Sequence, residues 1–119
     1  MRAVATNKSG SQTFVLCETA EPTPSSFEAK VKVEAFSLNL GEVRHAITQP
    51  VEGWKPGWDF AGIVEQQAAD GSGPKTGARV VGFVEEGAWA EKIAVASRSI
   101  AEVPSSVTIQ QAATLPVAG

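Results

Sequence analysis

The chain has 119 residues, 43% hydrophobic and 19% charged, which is one domain's worth of foldable polymer and excludes a disordered tail or low-complexity filament. Ten Lys and Arg against thirteen Asp and Glu leave a net charge of −3, and with no basic run the electrostatic footprint of nucleic-acid binding is missing. One cysteine (Cys17) and one histidine (His45) exclude an internal disulfide and a multi-cysteine zinc site, and the apolar stretches are too short to cross a bilayer as a helix. Met1-Arg2-Ala3-Val4 carries no charged-then-apolar signal segment and reads as a cytoplasmic start.

In chain order, short strands alternate with Gly- and Pro-rich breaks. Arg2–Thr6 reads as a first strand, residues 7–12 (NKSGSQ) as a hairpin-type turn and Thr13–Thr19 as a second strand. Pro22 and Pro24 make residues 21–26 an extended loop. Ala29–Ser37 has the cleanest alternation: Val31, Val33 and Ala35 share one face and Lys30, Lys32 and Glu34 the other, the signature of a half-buried antiparallel strand. Asn39–His45 loses that period and suits a short helical turn. Thr48–Gly57 is an irregular loop, and Asp59–Gln67 is a strand whose interior Gly62 suggests a bulge or close backbone approach. A polar turn over Asp70–Gly77 separates it from Arg79–Val84, which is expected to pair with Ala88–Val95. Ile100–Val103 is a last short strand. Val107–Leu115 has helical spacing, with Ser106 as the expected N-cap. Such a series of short strands implies a small barrel or sandwich, without the strand–helix alternation of a doubly wound sheet.

Most of the chemically suggestive residues have ordinary explanations. The glycine-rich stretch Gly71–Gly77 is followed by a strand, whereas phosphate cradling needs a helix N-terminus, so it is a hairpin loop. Cys17 lies mid-strand as a small half-buried hydrophobe, and His45, beside Arg44 at a turn end, is a solvated histidine. Pro56-Gly57-Trp58-Asp59-Phe60-Ala61-Gly62 differs, since it places a tryptophan beside a carboxylate at a loop-to-strand junction. Trp58 can simply pack there and Asp59 can simply tie a turn, but the pair also suits a flat aromatic ligand.

Five motifs in order carry a resemblance over nearly the whole chain. They are Ser37-Leu38-Asn39-Leu40-Gly41-Glu42, Pro56 to Gly62, Gly77-Ala78-Arg79-Val80-Val81-Gly82, Gly87-Ala88-Trp89-Ala90-Glu91, and Ala112-Ala113-Thr114-Leu115-Pro116-Val117-Ala118-Gly119. The chain resembles the medium-chain dehydrogenase/reductase superfamily, within it the zinc-independent quinone oxidoreductase type. The resemblance implies a mainly β fold: a GroES-like, partly open β-barrel with short helices, forming a catalytic domain over residues 1–119. The family's Rossmann domain is absent from the chain, which ends at Gly119 ahead of that cofactor-binding domain.

The family's zinc positions can be compared one by one. Asn39 stands where zinc-dependent relatives have a Cys three residues before an acid, and Trp58 stands where they have the His of Gly-His-Glu. The third ligand position falls near Val117, so none of the three side chains can ligate zinc. Without a Lewis acid to stabilise an alkoxide, hydride transfer should favour substrates that are already electrophilic, such as quinones and enones. The resemblance implies NADPH or NADH as cofactor. It places Asn39, Arg44 and Trp58 in the catalytic pocket, and Asn39, Leu40 and Val117 at the nicotinamide end. Arg44 departs from the tyrosine common there and can hold an anionic substrate, polarise an oxygen, or be a solvated charge. Glu42 and Asp59 fit supporting roles better than catalytic ones.

Two functions follow as expectations. One is the catalytic-domain portion of an NAD(P)H-dependent oxidoreductase, inactive as this fragment alone, cytoplasmic, with a small-molecule substrate and neither nucleic acid nor membrane as partner. Self-association of the fragment, and a homodimer for the longer protein, belong to this reading. The other is a stand-alone GroES-like binding module without catalytic activity.

Overall fold

The computed structural model describes residues 1–7, 12–49 and 51–118. The turn expected over residues 7–12 therefore lies mostly outside the described residues. Its flanks do pair: β1 (Arg2–Thr6) and β2 (Phe14–Glu18) run antiparallel, from Thr6 opposite Phe14 to Arg2 opposite Glu18.

The second sheet is wholly antiparallel and has the order β6-β3-β4-β5-β7. Its members are β3 (Glu28–Phe36), β4 (Asp59–Gln66), β5 (Arg79–Phe83), β6 (Lys92–Ala96) and β7 (Ile100–Glu102). In β3 the expected alternation is present, with Val31 buried while Lys32 and Glu34 are exposed. Central β4 is buried over Asp59–Gly62 because it is covered on both faces. Gly62 is a close approach, as its position in the strand suggests. A Cβ there would lie 2.0 Å from the Lys32 carbonyl oxygen, next to the register shift between Val33 and Ala35.

The main core gathers Val31, Phe60, Val64, Val80, Trp89, Ile93 and Val95. A second cluster of Ala61, Val103, Ile109, Ala112 and Ala113 lies beneath α2 (Ile109–Ala113). The two sheets meet through Trp89–Glu91: Val4 N–H donates to the Trp89 carbonyl (2.9 Å), Glu91 N–H to Arg2 (3.2 Å) and Val33 N–H to Glu91 (2.8 Å). The architecture is mainly β with open sheets and few short helices, as expected for a GroES-like domain. An open groove of about 460 Å³, lined by Val4, Leu16, Val33, Phe36 and Trp89 among others, lies at this junction of the sheets.

Three expectations need correction. Ala88–Val95 is not one strand, and it does not pair with Arg79–Phe83. Regular pairing begins only at Lys92, and β6 pairs with β3. The reason is local: Ala88 and Trp89 N–H groups go to the Gly57 and Pro56 carbonyls (both 3.2 Å), while the Trp89 ring packs between Phe14 and Phe36. The α2 N-cap is Thr108 rather than Ser106. Its hydroxyl accepts the Gln111 N–H and the Gln111 side chain accepts the Thr108 N–H, each at 3.0 Å, so a residue that can reach back at N3 decides the start. The helical stretch expected over Val107–Leu115 accordingly begins at Ile109 and breaks at Thr114, before a separate short turn α3 (Leu115–Ala118).

Candidate functional site

The site is built where the chain leaves β3, forms a helix and returns into β4. Asn39 has extended backbone (φ −110, ψ 142) and is the N-cap of α1 (Leu40–Thr48). Glu42, at the third helical position, is fully buried. Its Oε1 accepts the Asn39 backbone N–H and its Oε2 the Trp58 backbone N–H, each at 2.6 Å. One carboxylate thus joins the first turn of α1 to the residue preceding β4, satisfying two N–H groups that would otherwise be orphaned. Burial pushes the Glu42 carboxyl above the ordinary carboxylate range. The hydrogen bonds from Asn39 and Trp58 oppose that rise, and the nearby Asp59 charge adds to it.

Asp59 is also fully buried. Its Oδ1 accepts the Ser37 hydroxyl at 2.5 Å and the Asn39 side-chain N–H at 3.3 Å, while Oδ2 is buried without a hydrogen-bond partner. Neither Glu42 nor Asp59 has an ion-pair partner among the described residues. The ion pairs among those residues lie elsewhere, chiefly where Lys30 and Lys92 meet Glu21 and Glu65 on the sheet surface.

Trp58 is half-buried, with the outer edge of its indole against α1 at Gly41. A Cβ on Gly41 would fall 2.4 Å from the indole Cη2, so only glycine permits this approach. The Trp89 indole N–H reaches the Ser37 carbonyl (3.3 Å), linking the site to the core.

Of the residues singled out from sequence, Asn39 and Trp58 come together with Glu42 and Asp59 in one hydrogen-bonded cluster. Arg44 stands outside it, exposed on α1. Leu40 is 64% exposed beside Asn39, and Val117 lies on α3, a turn that packs against β4 and β5. His45 is exposed as expected, but its ring lies 4.5 Å from that of Trp54, whose indole N–H donates to Glu86 (2.9 Å). Cys17 is half-buried opposite Ala3, and the glycine-rich stretch is the β4–β5 connection. Sequence reading missed the dual acceptor role of Glu42, though the spacing Asn39-x-x-Glu42 is a capping-box signature. It also missed Ser37, for which no local signal exists.

No group of three or more His, Cys, Asp or Glu that could hold a metal occurs among the described residues. The site offers a flat aromatic wall, exposed Leu38 and Leu40, and one side-chain amide. These fit the amide-bearing ring of a nicotinamide. They include no cluster of cations for a pyrophosphate.

Residues 25–105 match the family model described as "Alcohol dehydrogenase GroES-like domain". The chain is similar to a trans-enoyl reductase of Penicillium oxalicum, 36% identical over 115 residues that cover 86% of this chain and 31% of the relative. It superposes on the human synaptic vesicle membrane protein VAT-1 homolog-like protein with a TM-score of 0.89 at 30% identity, covering 98% of this chain and 40% of that one. It superposes on a mycobacterial protein solved with NADPH with a TM-score of 0.83 at 27% identity, covering 98% and 38%. The chain spans roughly a quarter to a third of the length of the curated relatives it matches.

Proposed function

Because the chain belongs to the alcohol dehydrogenase GroES-like family, on the quinone oxidoreductase-like side of the medium-chain dehydrogenase/reductases, we propose that it is the substrate-binding half of a zinc-independent NAD(P)H oxidoreductase acting on quinones or enones. The observation that carries this reading is the Asn39–Asp59–Glu42–Trp58 cluster. The two positions that hold metal ligands in zinc-dependent relatives carry an amide and an indole; beneath them the Glu42 carboxylate holds two backbone N–H groups and the Asp59 carboxylate holds the Ser37 and Asn39 side chains. A bound nicotinamide supplies hydride.

The chain's own residues shape and orient. Trp58 gives a flat surface for the substrate ring. Asp59 and Glu42 hold Asn39 and the first turn of α1, and Leu40 and Val117 provide apolar cover for the nicotinamide. Leu38, Leu40, Leu115 and Val117 are all solvent-facing here, and we assign them to the side that a cofactor-binding domain would cover. The longer protein is then a cytoplasmic, homodimeric enzyme, and this chain by itself does not turn over.

The test uses the complete polypeptide that carries this domain. NADPH oxidation is followed with a naphthoquinone and with an enone, before and after exhaustive chelation. Turnover unaffected by chelator is expected. Absence of dinucleotide binding, or activity that returns only with added zinc, refutes the reading.

A further inference from the structure

We propose that Arg44 makes this site selective for anionic substrates, namely flat quinones or enones bearing a carboxylate or sulfonate. The proposal rests on the reading above and concerns the face of α1 that the buried cluster does not use.

Glu42 and Ala46 face inward from α1. Leu40, Arg44 and Ile47 recur at the spacing of a single helical stripe, and all three are exposed, Leu40 by 64% and Ile47 by 63%. Arg44 is also one turn beyond Gly41, which carries the Trp58 indole. Arg44 therefore lies on the exposed stripe of α1, one turn from the glycine that the Trp58 indole meets. A ring resting against Trp58 and Leu40 has Arg44 within reach of its substituents.

The charge surroundings support the same assignment. Arg44 has no ion-pair partner among the described residues. The acid on its own helix, Glu42, points the other way with both oxygens engaged. Behind Trp58 lie the carboxyl groups of Glu42 and Asp59, with no ion-pair partner among the described residues, so the negative charge they carry repels an incoming anion. A planar cation with several donors on the exposed face of α1 offsets that repulsion and grips a carboxylate or sulfonate through two oxygens. A neutral ring needs no such help, which makes Arg44 a specificity residue rather than part of the general machinery.

The test compares anthraquinone sulfonate with its neutral hydroxymethyl counterpart, with binding read as quenching of tryptophan fluorescence in the chain. R44Q should weaken the sulfonate about tenfold, the order expected for a charge-assisted pair, and change the neutral quinone less than twofold. R44K should recover part of the loss, because it keeps the charge without the fork. R44E should weaken the sulfonate further, and W58F should remove most of the quenching for both ligands. Thermal melts check that the exposed substitutions leave the fold intact. If both quinones bind and R44Q shifts them equally, or shifts neither, the proposal is overturned while the parent reading stands. If the unmodified chain binds neither quinone at millimolar concentration, both the proposal and the assigned substrate class fail.

Discussion

Replacing Glu42 by leucine should be among the most damaging single changes in this chain. The side chain is fully buried, and its two oxygens accept separate backbone N–H groups, from Asn39 and Trp58, each at 2.6 Å. A buried N–H left without an acceptor costs about 1–3 kcal/mol, so E42L should lose roughly 2–6 kcal/mol. Domains of this size have a total stability of about 5–15 kcal/mol. With a urea dependence of about 2 kcal/mol per molar, the middle of the usual range, the midpoint should fall by roughly 1–3 M. E42Q should lose half of this or less, because its carbonyl keeps one acceptor and it carries no charge to desolvate.

The pH dependence has a definite sign. Burial raises the folded carboxyl above its unfolded value, so the folded state binds more protons in the window between the two. The Glu42 contribution is therefore complete below the ordinary carboxylate range and is lost as pH rises through the folded value. The stability gap between the native chain and E42Q should narrow over that rise. Urea melts at several pH values, read by far-UV circular dichroism, measure both effects. An E42L variant within about 0.5 kcal/mol of the native chain would refute the claim that Glu42 carries the two N–H groups.

Other expectations follow from named contacts. G62A should lower the melting temperature, since its Cβ would meet the Lys32 carbonyl oxygen at 2.0 Å and neither β3 nor β4 can give way without parting; overpacking of this kind costs about 1–3 kcal/mol. W89A should cost about 3–5 kcal/mol by emptying the core between Phe14 and Phe36, as calorimetry would show. Glu21 is held down to about 2 by hydrogen bonds from Lys30 and Lys92. Its contribution is present above the ordinary carboxylate range and is lost as pH falls through about 2, so the native chain and E21Q should differ at pH 6 and converge near that value. Equilibrium dialysis against zinc should show no stoichiometric, saturable binding, and one tightly bound ion per chain would contradict the proposed zinc independence.

Several elements were legible because their signals are local. The period-two pattern of Val31, Val33 and Ala35 marked β3, and Gly62 marked a close approach, because alternation and a missing side chain are written residue by residue. The helical turn after Asn39 was visible too, as was the unusual Trp58-Asp59 junction. Ala88–Val95 misled for the opposite reason. Its β-like composition reflects burial of Trp89, while its first backbone groups are taken by Pro56 and Gly57 more than thirty positions away. At α2 the local pattern pointed to Ser106 as the cap, and the reach of the Gln111 side chain back to Thr108 places it two residues later.

At the site the same division holds. The identities of Asn39, Arg44, Trp58 and Val117 are properties of the sequence, and the proposed zinc independence rests on the identities at Asn39, Trp58 and Val117 set against the family's ligand positions. Tertiary structure decided how they are grouped. Folding brings β3, α1 and β4 together, so Glu42 and Asp59 become buried acceptors that hold Asn39 and Trp58, while the α1 helical period carries Arg44 outward beyond their reach. Composition and spacing can state which groups exist. Which of them lose water and which keep it depends on packing between segments distant in the chain, and that packing separates the supporting carboxylates from the exposed guanidinium.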